Sequence, residues 1–180
     1  GDITWRDAMS VGNKLRYTNF TGRTDLRLAK VARDATHLFF CIEASGPIAP
    51  KQGTNWMNLF ITIENDPRAS PGWNGFQFLV APQDSTPASP LVLWHYDPQA
   101  NGRDWRWISE GTVPYLLAAN RLALSIARTA LGLESDRTDL NLRFKWADNM
   151  QEASALDWLI NGDTAPNGRF AYRYRGAGRG

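Results

Sequence analysis

The sequence predicts an all-β domain: an antiparallel β-sandwich of jelly-roll type with one or two short helices. Three observations carry that prediction. Short apolar or alternating runs recur between turn residues, at a spacing of roughly 8–12 residues. Helical periodicity is almost absent along the chain. And 180 residues suffice to bury a core without disulfide or metal staples.

The elements follow in order. Asp25–Arg33 alternates, placing Leu26, Leu28 and Lys30 on one face and Arg27, Ala29 and Val31 on the other. Asp34-Ala35-Thr36 turns the chain into a second strand, His37–Ala44. Met57–Glu64 is a nearly continuous apolar run, the mark of a buried strand, and Asn65-Asp66-Pro67 ends it. Phe76–Val80 follows the turn signal Gly72-Trp73-Asn74-Gly75. Leu91–Tyr96 and Asp104–Ser109 flank Asp97–Gly102, which predicts a hairpin with a long loop. Val113–Ala118 and Leu122–Ala127 form a second hairpin about Ala119-Asn120-Arg121. Arg128–Leu133 predicts one helical turn ended by Gly132. Leu140–Trp146 is a strand, and Asp148–Leu159 holds a short helix.

The stretch Asn161–Gly176, NGDTAPNGRFAYRYRG, admits three readings. A phosphate loop needs a helix N-terminus after its glycines, and here the alternation of Phe170, Tyr172 and Tyr174 follows instead. A nucleic-acid tail needs a larger basic excess than +2. The closing strand, Arg169–Arg173, with its aromatics inside, is the simplest account. Asn161-Gly162 and Asn167-Gly168 then supply the turn residues. The first 22 residues are less regular, with Thr18–Gly22 as a loop. Residues 1–180 are read as one domain, with 175–180 as a flexible tail.

Composition narrows the function. A net charge of +2 exerts no strong pull on nucleic acid or an anionic membrane. No apolar stretch is long enough to span a bilayer, and no signal-peptide pattern opens the chain. The chain starts at Gly1 and closes in Gly-Ala-Gly-Arg-Gly, so we expect a domain of a longer polypeptide. The single Cys41 lies in an apolar run and is expected to be a buried, inert thiol. Only His37 and His95 offer a base for a nucleophilic triad, each within a strand, and no Gly-x-Ser-x-Gly elbow or Walker loop is present. Carboxylate-pair catalysis is harder to exclude, with Glu43, Glu64, Asp148 and Asp157 as its possible members. Glu64 and Asp66, just past a strand, are candidate oxygen ligands for a structural calcium, or a solvated turn.

Eight tryptophans stand out. An indole offers a flat apolar face on which the C–H face of a sugar ring stacks, while amides and charged groups bond the hydroxyl rim. Trp56, after Asn55, and Trp73 lie in loops, where an unpacked indole is costly. Trp105 and Trp107 share one face of a hairpin strand, and Trp158 follows Asp157. Trp105 and Trp107 either bind or pack on the other sheet, and Trp73 either binds or caps the sandwich. Trp94 and Trp146 are expected in the core. Asp163 and Arg169 are placed to bond hydroxyls from the last loop.

Several segments together, AKVARDATHLFFCIEA, NWMNLFITIENDPRASPGWNGFQFLV, NRLALSIARTALGL, LRFKWADN and NGDTAPNGRFAYRY, resemble a known group. They look like family-9 carbohydrate-binding modules and the wider DOMON-like β-sandwiches found near the C-terminus of bacterial glycan-active or secreted proteins. The resemblance covers roughly residues 22–174. It implies a sugar held between two tryptophans, Trp56 before its strand and Trp158 late in the chain, with Asn58 as the polar strand residue. Structural calcium is implied in the same way. Thr62 stands where relatives often have Asp, and Asn58 where they usually have Glu.

The expectation is a non-catalytic module that binds polysaccharide or oligosaccharide and is covalently linked to a glycan-active enzyme, extracellular or periplasmic. Trp56, Trp73, Trp105, Trp107, Trp158, Asn55, Asn58 and Arg169 are its candidate sugar contacts. Two rivals stand beside it: an interaction domain packed on a catalytic neighbour through the same aromatics, and a small glycan-cleaving enzyme with paired carboxylates.

Overall fold

The computed structural model describes residues 23–64, 72–134, 137–161 and 163–176, with the backbone of Ile3–Arg6 and Lys14–Tyr17. Those two short segments, β1 and β2, pair antiparallel as a small sheet of their own. The expected Thr18–Gly22 loop, Asp66 and residues 177–180 lie outside the described residues.

The rest is an all-β sandwich of two antiparallel sheets. The smaller holds β3 (Leu26–Arg33), β4 (His37–Ala44), β9 (Tyr115–Ala118) and β10 (Arg121–Ala127), in the order β3-β4-β10-β9. The larger is built on β5 (Asn58–Ile63), β6 (Phe78–Pro82), β7 (Leu91–Tyr96), β8 (Trp107–Thr112) and β11 (Leu140–Ala147). Its order is β11-β5-β6-β7-β8, and β12 (Thr164–Ala165) and β13 (Tyr172–Gly176) share the free edge of β11.

Period-2 alternation explains the inner core. Leu38, Phe40 and Ile42 of β4 and Leu122, Leu124 and Ile126 of β10 point inward. They meet Leu59 and Ile61 of β5, Val80 of β6, Leu93 of β7 and Leu142, Phe144 and Trp146 of β11. Phe40 and Phe144 touch edge-on across the interface, 5.4 Å between centroids. All six residues of β5 are buried. That strand has no solvent face, because loops cover the outer side of the larger sheet as well.

Several expectations change in detail. A bulge between Leu26 and Leu28 breaks the alternation expected for β3. Leu26 is buried, while Leu28 turns out to solvent beside Lys30. The second strand of the long hairpin begins at Trp107 rather than Asp104. Asn101 Oδ1 accepts the amides of Arg103 and Asp104 and keeps that stretch in the loop. The helix expected over Asp148–Leu159 is only a 3₁₀ turn, Ala155–Leu159, capped by the Ser154 hydroxyl. The 3₁₀ turn Arg128–Leu131 ends at Gly132 in the left-handed region, as expected. The closing strand runs Tyr172–Gly176, so Arg175 and Gly176 belong to a sheet and not to a tail, and Phe170 is exposed rather than inside. Cys41 is half-buried on the outer face of the small sheet, and burial raises its thiol pKa.

Candidate functional site

The outer face of the larger sheet carries a second apolar cluster that is mainly aromatic. Across the strands its central row reads Phe60, Leu79, Trp94 and Ser109, set by the pairings Phe60↔Leu79, Leu79↔Trp94 and Trp94↔Ser109. Loops close over one end of this face. The tight turn Gly72–Phe76 brings down Trp73, fully buried and stacked on Phe60 at 5.4 Å. Asn74 and Gly75 take positive φ there, and a Cβ on Gly72 would stand 2.4 Å from the Phe76 carbonyl oxygen. The 3₁₀ turn adds Trp158, packed edge-on against Phe60, Trp73 and Phe76. Trp73 Nε1 donates to the Arg103 carbonyl at 3.2 Å, tying this cluster to the Asp97–Arg106 loop.

Behind Trp158 lies the least expected group of the fold, a buried lysine. Lys145 projects from β11, and its Nζ donates to the carbonyls of Pro166 (2.5 Å), Gly168 (2.7 Å) and Phe170 (3.3 Å). The same ammonium sits 5.0 Å from the Trp158 ring centroid. Burial pushes its pKa down to about 7, opposed by the nearby Asp163 carboxylate. Three carbonyls use three N–H donors, so this lysine organises the last turn rather than facing a ligand. Asp163 is likewise structural: its Oδ2 accepts the Leu26 amide at 2.5 Å, and burial raises its pKa.

At the other end the aromatic face stays open. A groove of about 260 Å³ is lined by Trp94, Trp105 and Trp107, with Leu79, Ala81 and Pro82 as its floor. Thr54, Asn55 and Gln83 supply its polar margin. All three indoles are half-buried. Trp105 is held edge-on against Trp73 (4.8 Å, 90°) and against Trp107 (5.5 Å, 77°), so the closed cluster sets the orientation of the open one. The Trp107 N–H is buried without a protein partner, so what this side chain exposes is hydrocarbon. Asn55 accepts from Asn58 Nδ2 at 3.2 Å through its own Oδ1, and its NH₂ has no partner among the described residues.

The structure thus redistributes the expected contacts. Trp105, Trp107 and Asn55 come together in one groove. Trp56 does not: it is 1% exposed in the inter-sheet core, with Nε1 donating to the Ala49 carbonyl at 2.7 Å. Trp73 and Trp158 are buried beneath the outer loops, and Asn58 is fully buried under them. Trp56 and Trp158 therefore lie on opposite faces of the larger sheet and cannot clamp one sugar between them. A loop indole avoids water by packing, and here packing claimed both. Arg169 is exposed on the final turn and does not line the groove.

Trp94, expected in the core, lines the groove instead. Its signal was in the alternation: Leu91 and Leu93 face inward, so Trp94 faces the outer side. Glu64 is engaged by two guanidiniums, Arg143 at 3.2 Å and Arg173 at 2.6 Å. A carboxylate so neutralised suits an arginine pair better than calcium, and no group of three acidic, histidine or cysteine side chains stands ready for a metal among the described residues. Of the two histidines, His37 Nδ1 is 2.8 Å from the Thr36 hydroxyl and His95 packs on Phe78. Among the described residues, no helix is long and apolar enough to cross a membrane.

Comparison with protein-family models, with curated proteins and with solved structures returns no match. The likeness to family-9 modules therefore rests on its sequence segments alone.

Proposed function

We propose that the chain is a non-catalytic carbohydrate-binding module whose site is the Trp94–Trp105–Trp107 groove. The observation that carries the reading is the pairing of three half-buried indoles with the uncharged side chains of Thr54, Asn55 and Gln83. Ring faces stack on the C–H face of a pyranose, and side-chain amides reach its hydroxyls in either direction, as donor or acceptor. The module would act by tethering: linked to a glycan-active enzyme, outside the cell or in the periplasm, it raises the local concentration of substrate.

Affinity electrophoresis in gels cast with soluble polysaccharides tests this. We expect retardation by at least one glycan and loss of most of it in Trp105→Ala, a weakening of at least about tenfold. Unchanged mobility in every gel removes the proposal. Retardation equal in the wild type and in a folded Trp105→Ala chain moves the site elsewhere.

A further inference from the structure

On that reading of the groove, we infer that its ligand is a single soluble chain of neutral sugars, neither a polyuronate nor the face of a crystalline polysaccharide. The first argument is charge. Among the described residues, no ionisable side chain lines the groove. A uronate carboxylate brought against three indoles would lose its hydration with no guanidinium or ammonium to replace it, which is strongly unfavourable. Two cations on the flanking loops, Lys51 and Arg106, are committed elsewhere. Lys51 bonds the Ser89 carbonyl and lies over the Trp56 and Tyr115 rings, and Arg106 pairs with Asp97 at 2.6 Å. Arg103 is exposed on its loop and is not a lining residue.

The second argument is ring geometry. A crystal face offers many sugar rings in one plane, and reading it takes aromatic rings that are coplanar and stand proud of the surface. Here the planes of Trp105 and Trp107 are 77° apart, and all three indoles sit half-buried in a recess. A flat lattice cannot lie on both. A chain free of its lattice can turn about its axis and present successive rings to successive indoles. The recess, about 260 Å³, takes a short stretch of such a chain; it lies just under the roughly 300–1,000 Å³ usual for small-molecule pockets.

The full 180-residue chain is run in gels of arabinoxylan, mixed-linkage β-glucan, galactomannan, polygalacturonate and alginate, with chelator throughout, and mixed with microcrystalline cellulose. Retardation is expected from one or more of the three neutral polymers, indifferent to added salt because no ion pair forms. Trp105→Ala should abolish it, and Gln83→Ala should weaken it severalfold. Gln83 is exposed and, among the described residues, its side chain bonds none, so its variant keeps the test alive if Trp105→Ala unfolds. Retardation by polygalacturonate or alginate that Gln83→Ala weakens overturns the inference and leaves the sugar site standing. So does depletion of the wild type, but not of the variant, by cellulose. No retention by any polymer removes the sugar site itself, and the two failures are thereby told apart.

Discussion

The two sheets of this sandwich present outer faces of opposite character. On the small sheet, paired positions across the strands read Leu28–Glu43–Arg121–Ala118 and Lys30–Cys41–Ala123–Leu116. Glu43 is shared by Lys30 at 2.8 Å and Arg121 at 3.1 Å, and the remaining positions are small or singly apolar. That face meets water with ordinary surface chemistry. The outer face of the large sheet carries Phe60, Leu79, Trp94 and Tyr96, and loops have been spent to cover most of it. A sheet face that apolar must be sealed or used. One end is sealed by Trp73 and Trp158, and the other is left as the groove.

The largest effect should come from breaking the sealed end. Trp73→Ala removes a fully buried indole stacked on Phe60 and should cost about 3–5 kcal/mol, read by denaturant unfolding. It should also weaken glycan binding without touching the groove, because Trp105 leans on Trp73 at 4.8 Å. If stability falls and affinity in the folded fraction does not, the sealed end is scaffold only.

Lys145 tests the same end electrostatically. Lys145→Met leaves the Pro166, Gly168 and Phe170 carbonyls without their donor and should cost about 3 kcal/mol. The pH dependence has a definite sign. The folded lysine loses its proton at about 7, whereas an unfolded lysine holds its proton up to about 10.5. Above pH 7 the unfolded chain therefore binds more protons than the folded one, and stability should rise with pH. The window to measure is pH 7 to 9. Beyond it Cys41 and Tyr172, both raised by burial, pull the other way. A thermal midpoint flat over that window in the wild type, or rising equally in Lys145→Met, would refute the assignment.

How much of this was legible beforehand follows from the kind of signal each feature leaves. The inner core was legible, because strands such as His37–Ala44 alternate cleanly and Leu140–Trp146 repeats the pattern. The second, aromatic core left no period of its own. It is assembled from a strand face, a tight turn, a long loop and a 3₁₀ turn far apart in the chain, so the burial of Trp73 and Trp158 depends on contacts that only folding creates. Trp56 misled for a related reason. It precedes β5 in a loop, yet Met57 adopts a positive φ and the Asn149 amide binds the Asn55 carbonyl at 2.9 Å, and the indole ends between the sheets. A one-residue bulge was enough to reverse Leu28. Trp105 and Trp107 were visible as an alternating pair, but whether they faced a ligand or a neighbour turned on what covers the sheet. Lys145 had no signal beyond standing among apolar residues, since its three acceptors lie on the turn twenty-odd residues later.

The small sheet supplies the control, with the smallest expected effect. Phe39 lies on its outer face, 38% exposed, with His37 as its aromatic neighbour at 6.0 Å. It is a large apolar side chain on a strand, as Trp94 is, and the sequence alone does not separate the two. What separates them is the company each keeps: Phe39 is paired with Ala32 and Ser125 in a row that no loop among the described residues covers, whereas Trp94 shares a groove with two more indoles and two amides. Phe39→Ala should therefore change stability by no more than about 0.5 kcal/mol and leave gel retardation as it was. Trp94→Ala should cut retardation severalfold. A glycan affinity lost in the Phe39 variant and kept in the Trp94 variant would transfer the binding face to the small sheet, and with it the meaning of the whole contrast.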